Sequence, residues 1–189
     1  MKKPLIVRLI AILSAICLLL SFASCSKKQE EGAPTGMKKA SPDNCGYKLF
    51  VPSSWVIDTR ETELLTAAHV SETNLSNISM TGYSNEDGIS LKEYWEKYKS
   101  SVQAMFDKDS NGNPIFELVT DAETTLVDNK EAVRCVYKGT LGDVELEYLQ
   151  VFCSSGSNVY IFTFTAFVSR FETDLSDVEA ILKYIDFDE

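Results

Sequence analysis

The sequence predicts an α+β fold, an antiparallel sheet of about six to eight strands with helices on both faces. Three observations predict it. Val144-Glu-Leu-Glu-Tyr-Leu-Gln-Val-Phe-Cys153 and Val159-Tyr-Ile-Phe-Thr-Phe-Thr-Ala-Phe167 are rich in β-branched and aromatic residues, and Ser154-Ser-Gly-Ser-Asn158 between them is a cluster of turn formers. The second strand has almost no polar side, so both faces of its sheet need cover. Phe171, Leu175, Val178, Ile181, Leu182 and Ile185 then recur at helical spacing and supply one cover.

The remaining elements follow in chain order. Tyr47-Lys-Leu-Phe-Val51 reads as a strand ended by Pro52, which cannot donate to a sheet ladder, and Trp55-Val-Ile57 begins the next. Leu64–Val70 and Leu75–Tyr83 are two more strands, joined by Ser71-Glu-Thr-Asn74. Ser90 and Glu93 form a capping box. Behind it Leu91, Tyr94, Trp95, Tyr98, Val102, Met105 and Phe106 make the apolar stripe of a second helix, with Glu93 and Lys97 paired on its wet side. Ile115–Val119, Thr124–Val127 and Glu131–Tyr137 are strands, with a turn at Asp128–Lys130. If Tyr137 lies opposite Val144, Cys135 and Cys153 point to different faces, since side chains alternate with period two.

The first residues carry an address rather than a fold. Lys2, Lys3 and Arg8 precede the apolar run Leu9–Leu20, and small residues follow. This is the pattern of a secretory signal, and the run is shorter than the roughly 20 residues that span a bilayer. Phe22-Ala-Ser-Cys25 resembles the lipobox of bacterial lipoproteins, with Phe22 where leucine is usual. That resemblance implies cleavage before Cys25, acylation of its thiol with palmitate-like chains, and attachment to the outer face of a bacterial cell membrane. Ordinary cleavage nearby, with Cys25 a bystander, is the alternative. Residues 26–44 contain few apolar side chains and read as a disordered tether. The expected division is a signal over 1–24, a lipidated tether over 25–44 and a folded domain over 45–189.

Charge and cysteine content narrow the partners. Beyond residue 24 there are 15 basic and 28 acidic residues, a net charge of −13. Such a surface repels phosphate backbones, so nucleic acid is not an expected partner. Cys45, Cys135 and Cys153 remain after Cys17 and Cys25 are set aside, with no CxxC pair, and they read as buried free thiols.

Gly46-Tyr-Lys-Leu-Phe-Val-Pro-Ser-Ser-Trp55, Asp128-Asn-Lys-Glu-Ala132, Tyr160-Ile-Phe-Thr-Phe-Thr165 and the ending Ile185-Asp-Phe187 resemble segments of PsbP-like proteins. The resemblance implies an α/β/α sandwich used largely for binding or assembly, in a group whose bacterial members include many lipoproteins. It carries no binding residue over to this sequence; taken with the membrane address, the binding-module reading makes an envelope protein the expected partner.

Motifs of catalysis are few. The sequence has no GxSxG, no HExxH, no phosphate-binding glycine loop and no dinucleotide fingerprint, and His69 is its only histidine. These features favour a non-enzymatic binding module over the alternative, an envelope enzyme or small-ligand receptor with a pocket between sheet and helix. One local pattern has a chemical reading. Asp107-x-Asp109-x-Asn111-Gly112 matches the first half of an EF-hand loop, in which alternating oxygens face one cation. The second half departs, because Leu118 stands where a bidentate glutamate belongs and Glu117 comes one place early. Any calcium bound by Asp107, Asp109 and Asn111 is therefore expected to be weak, at about 10⁻⁴–10⁻³ M. No other cofactor is expected.

Overall fold

The centre of the computed structural model is a run of hairpins. The model describes residues 32–58 and 65–188, and those from Ala33 onward form one compact unit. Strands β7 (Phe116–Val127), β8 (Lys130–Leu141), β9 (Val144–Ser155) and β10 (Asn158–Phe167) follow one another through three two-residue turns. Two of those turns have left-handed backbone at both central positions, Asp128 with Asn129 and Gly142 with Asp143. This conformation matches the twist of the flanking strands, and Asx and glycine residues tolerate it best.

Preceding strands extend the sheet on the other side of β10. They are β4 (Val56–Ile57), β5 (Leu65–His69) and β6 (Asn77–Ser84), giving the antiparallel order β4-β5-β6-β10-β9-β8-β7. The fold is α+β, with helices α1 (Leu91–Gln103) and α2 (Val168–Lys183). Ser90 Oγ accepts from the Glu93 amide at 3.2 Å, while the Glu93 carboxylate pairs with Lys97.

Each helix belongs to its own core. Leu91, Trp95, Val102 and Phe106 pack with Val133, Cys135, Tyr137, Phe152, Val159 and Ile161. Phe171, Val178, Ile181 and Leu182 pack with Val136, Leu149, Val151, Cys153, Tyr160, Phe162 and Phe164. Along β10 the side chains from Val159 to Phe162 alternate between these two cores, which is why that strand needs no polar side. Met105 departs from the expected stripe and is exposed. Tyr137 faces Tyr148 rather than Val144. The slip is four residues, an even number, so Cys135 and Cys153 still fall in different cores.

Several segments differ from the sequence expectation. Tyr47–Val51 is not one strand of the main sheet. Its two ends form separate ladders, β2 (Tyr47–Lys48) with β11 (Asp186–Phe187) and β3 (Phe50–Pro52) with β1 (Met37–Lys39). The presence of β1 also corrects the tether expected through residue 44. Ala40 N and Ser41 N donate to the Leu49 carbonyl, Lys38 reaches the Trp55 carbonyl, and Ala33 is buried. Neighbouring strands supply the burial that this polar segment lacks by itself. Finally, β7 is one strand of 12 residues with irregular register between Leu118 and Glu123, where two strands, Ile115–Val119 and Thr124–Val127, were expected. The signal, Cys25 and the start of the tether lie outside the described residues.

Candidate functional site

Helix α2 has two different flanks. On one, Asp174 is buried and accepts from Asn74 Nδ2 at 3.0 Å and Arg170 Nη2 at 3.1 Å. Next to it Asp177 accepts from the Trp55 indole at 3.2 Å. The bonds from Asn74 and Trp55 fix the helix to the β4–β6 side of the domain. The other flank borders β8 and β7 and leaves an open trough.

The trough's central section is a cavity of about 520 Å³. Val136 of β8 and Glu147 of β9 lie at its base, Phe171, Glu172 and Leu175 of α2 form one wall, and Thr120, Glu123, Thr124 and Thr125 of β7 form the other. It shares Thr125, Arg134 and Glu179 with a second section of about 350 Å³ at the C-terminal end of α2. A third recess of about 320 Å³ lies beside Lys138, Glu145 and Val168, at the helix's N-terminal end. The outer side of β7 pairs with no described strand, so a sheet edge runs beside the trough.

Its charge is uneven. Arg134 is the one basic side chain of the central section, and its Nη1 lies 2.6 Å from Glu179 Oε1. Glu123, Glu147 and Glu172 form no ion pair among the described contacts. Glu147 is the least expected of them, being only 7% exposed and accepting no hydrogen bond from any described residue. Burial raises its pKa above the ordinary carboxylate range, the charges of Glu172 and Glu117 add to that, and Lys138 opposite it on β8 pulls the other way. The sequence held a signal for this residue. Glu147 is in phase with Leu149, Val151 and Cys153, so the alternation that buries those residues also turns a carboxylate inward.

A larger recess of about 690 Å³ lies by the β7–β8 turn, lined by Lys48, Asp128, Asn129, Lys130, Asp186, Phe187 and Asp188. Asp128 there accepts from the Phe187 amide, and Lys48 pairs with Asp186 at 3.0 Å. These bonds hold β11 in place, and the recess reads as structural.

Asp107, Asp109 and Asn111 lie in the connection from α1 to β7. One Asp109 oxygen accepts from the Asn111 and Asn113 amides, both at 2.9 Å, and Asp107 Oδ2 accepts from the Asp143 amide at 3.2 Å. Hydrogen bonds from those two amides hold the Asp109 carboxyl below its ordinary pKa. Asp109 thus turns into its own loop, whereas Asp107 ties that loop to the β8–β9 turn. His69 lies half-buried in β5, opposite Val56 and Asn77. Burial pushes the thiols of Cys135 and Cys153 up to about 12, which keeps them protonated and unreactive.

No protein-family model and no curated protein matches the sequence. Among solved structures, cyanobacterial PsbP from Synechocystis sp. PCC 6803 superposes with a TM-score of 0.61 over 89% of this chain and 99% of that one, at 15% identity. The fold is PsbP-like. The same PsbP-like architecture relates the chain to LpqN of Mycobacterium tuberculosis, a protein involved in cell envelope biogenesis, with a TM-score of 0.54, 11% identity and coverage of 81% and 91%. It also relates it to PA94 of Pseudomonas aeruginosa, a protein of unknown function, with a TM-score of 0.55, 13% identity and coverage of 78% and 94%. At such identities the likeness is one of fold.

Proposed function

We propose that the chain is a lipoprotein held by an acylated Cys25 at the extracytoplasmic face of a bacterial membrane, and that its PsbP-like domain is a non-enzymatic binding or assembly module for an envelope protein. The observation that carries this reading is the trough beside α2. Its two joined sections run beside the helix from Phe171 to Lys183, about 20 Å at 1.5 Å per residue, and both are open to solvent. Small-molecule sites enclose most of their ligand, whereas a long open groove next to a free strand edge suits an extended segment of protein. The reading takes α1 and α2 as covers on opposite faces of the sheet, because neighbouring residues of β10 pack with different helices. Under that arrangement the trough is the part of the α2 face that the helix leaves uncovered.

The signal pattern before Cys25 supports the membrane address. So does the shared fold of LpqN with its part in envelope biogenesis, and among the described residues no helix is long and apolar enough to cross a membrane. Acyl chains would supply the anchor, each buried methylene contributing about 0.8 kcal/mol. Cell fractionation of Cys25→Ala, with a crosslinking pull-down from intact cells, tests both halves of the proposal. The expected result is release of the variant from the membrane and recovery of a discrete envelope protein with the wild type. A variant that stays as firmly membrane-bound, or a wild type that crosslinks to nothing, contradicts it.

A further inference from the structure

We infer that the trough takes an extended basic segment of the partner protein, one of whose lysine or arginine side chains descends to Glu147. The inference rests on the binding-module reading above and adds the chemistry of the occupant. Two independent observations point to it. The first is charge. Glu123 and Glu172 stand on opposing walls of the central section with no ion pair, and its one basic residue, Arg134, is engaged by Glu179. The second is Glu147 at the base, more than nine-tenths buried and without a hydrogen-bond donor among the described residues.

The Glu147 oxygens keep contact with the water of the cavity, and a cation that replaced that water would pair with them more strongly than with a carboxylate on the open surface. Lys138 lies opposite Glu147 on β8 but not within ion-pair distance. The lining of the cavity matters as well. Phe171, Leu175 and Val136 line it beside the carboxylates, so a long side chain could bury its methylenes there and deliver its charged end. The walls favour cations and the exposed residues Val119 and Leu126 flank them on β7, so an alternation of basic and small apolar residues complements the whole site.

The test uses the full acylated chain in a nonionic detergent and a fluorescent 16-residue peptide of Lys-Val-Lys-Thr repeats. Fluorescence anisotropy is read for wild type, for Glu147→Gln, and for Glu131→Gln, which removes the same charge from an exposed position on β8. Saturable binding is expected, weakened about fivefold or more by Glu147→Gln and less than twofold by Glu131→Gln. A Glu-Val-Glu-Thr peptide should not bind. Equal losses in the two variants would mean general attraction to an acidic surface and would overturn the inference, as would equal binding of the acidic peptide. Thermal melting of Glu147→Gln shows that its fold is intact. Absence of peptide binding alongside a protein crosslink from the trough in cells removes this inference and leaves the binding-module reading in place. Absence of both removes the two together.

Discussion

Replacing Trp95 with alanine tests whether α1 is a structural cover for the sheet or an exposed aromatic platform. The indole has no exposed surface, stacks on Tyr137 at 6.1 Å between ring centres and meets Phe152 at 5.7 Å. Emptying a site of this size costs about 3–5 kcal/mol. Part of that cost is polar, because the indole N–H donates to Asp121 at 2.7 Å and Asp121 also holds Lys99 at 3.0 Å. Trp95→Phe keeps most of the ring contact and removes that bond, for about 1–2 kcal/mol, since hydrogen bonds to charged groups contribute more than neutral ones. Asp121→Asn keeps an acceptor and loses only a half-exposed ion pair, for about 1 kcal/mol or less. Urea denaturation of the chain lacking residues 1–24 measures all three, with unchanged m-values required for comparison. The order alanine, phenylalanine, Asp121→Asn is the expected result. A loss below about 0.5 kcal/mol for Trp95→Ala, typical of surface positions, would refute the assignment of α1 to the core.

Three further outcomes follow from particular contacts. Glu147→Gln should raise the melting temperature at pH 7 and lose that advantage near pH 3. A raised carboxyl pKa leaves the fold without penalty below the unfolded value of about 4.3 and adds one as pH rises through the folded value, so a gap that widens on acidification would contradict the burial of this group. Removing residues 33–44 deletes β1 and its bonds to Leu49, Ser53 and Trp55, and should cost about 2–4 kcal/mol in urea melts at roughly 0.5–1.5 kcal/mol per bond. An unchanged midpoint would return that segment to the tether. Gly139→Ala places a methyl 2.4 Å from the Phe106 ring and should cost about 1–3 kcal/mol, with partial recovery when Phe106→Leu is added. Failure of that second change to help would mean that the crowding lies elsewhere.

The hairpins and both helices were legible because their signals are local. Period-two alternation, turn residues at Asp128–Asn129, and the Ser90 cap each act within a few residues. The errors arose where distant partners decide. Met37–Lys39 has no apolar pattern and becomes a strand only because Phe50–Pro52 offers it a ladder. The polar run Asp121-Ala-Glu123 falls between the two strands read from the sequence, yet β8 carries it as an irregular part of one strand, with Asp121 drawn to Trp95 and Lys99. The position of the trough was not legible beyond one residue. It depends on how α2 is fixed by Asp174 and Asp177 on one flank, and sequence spacing does not encode which flank stays open. Only Glu147, a carboxylate in phase with buried residues, marked the place.

The most direct measurement is site-specific photocrosslinking in cells that make the full chain. A photoreactive side chain is placed at Thr124 on the wall of the trough and, separately, at Lys92 on the exposed side of α1. The account predicts a discrete protein adduct from position 124, carrying a lysine- or arginine-containing segment at the crosslink and reduced in Glu147→Gln, with none from position 92. Adducts of equal yield from both positions, or a protein crosslink from position 92 alone, would contradict it.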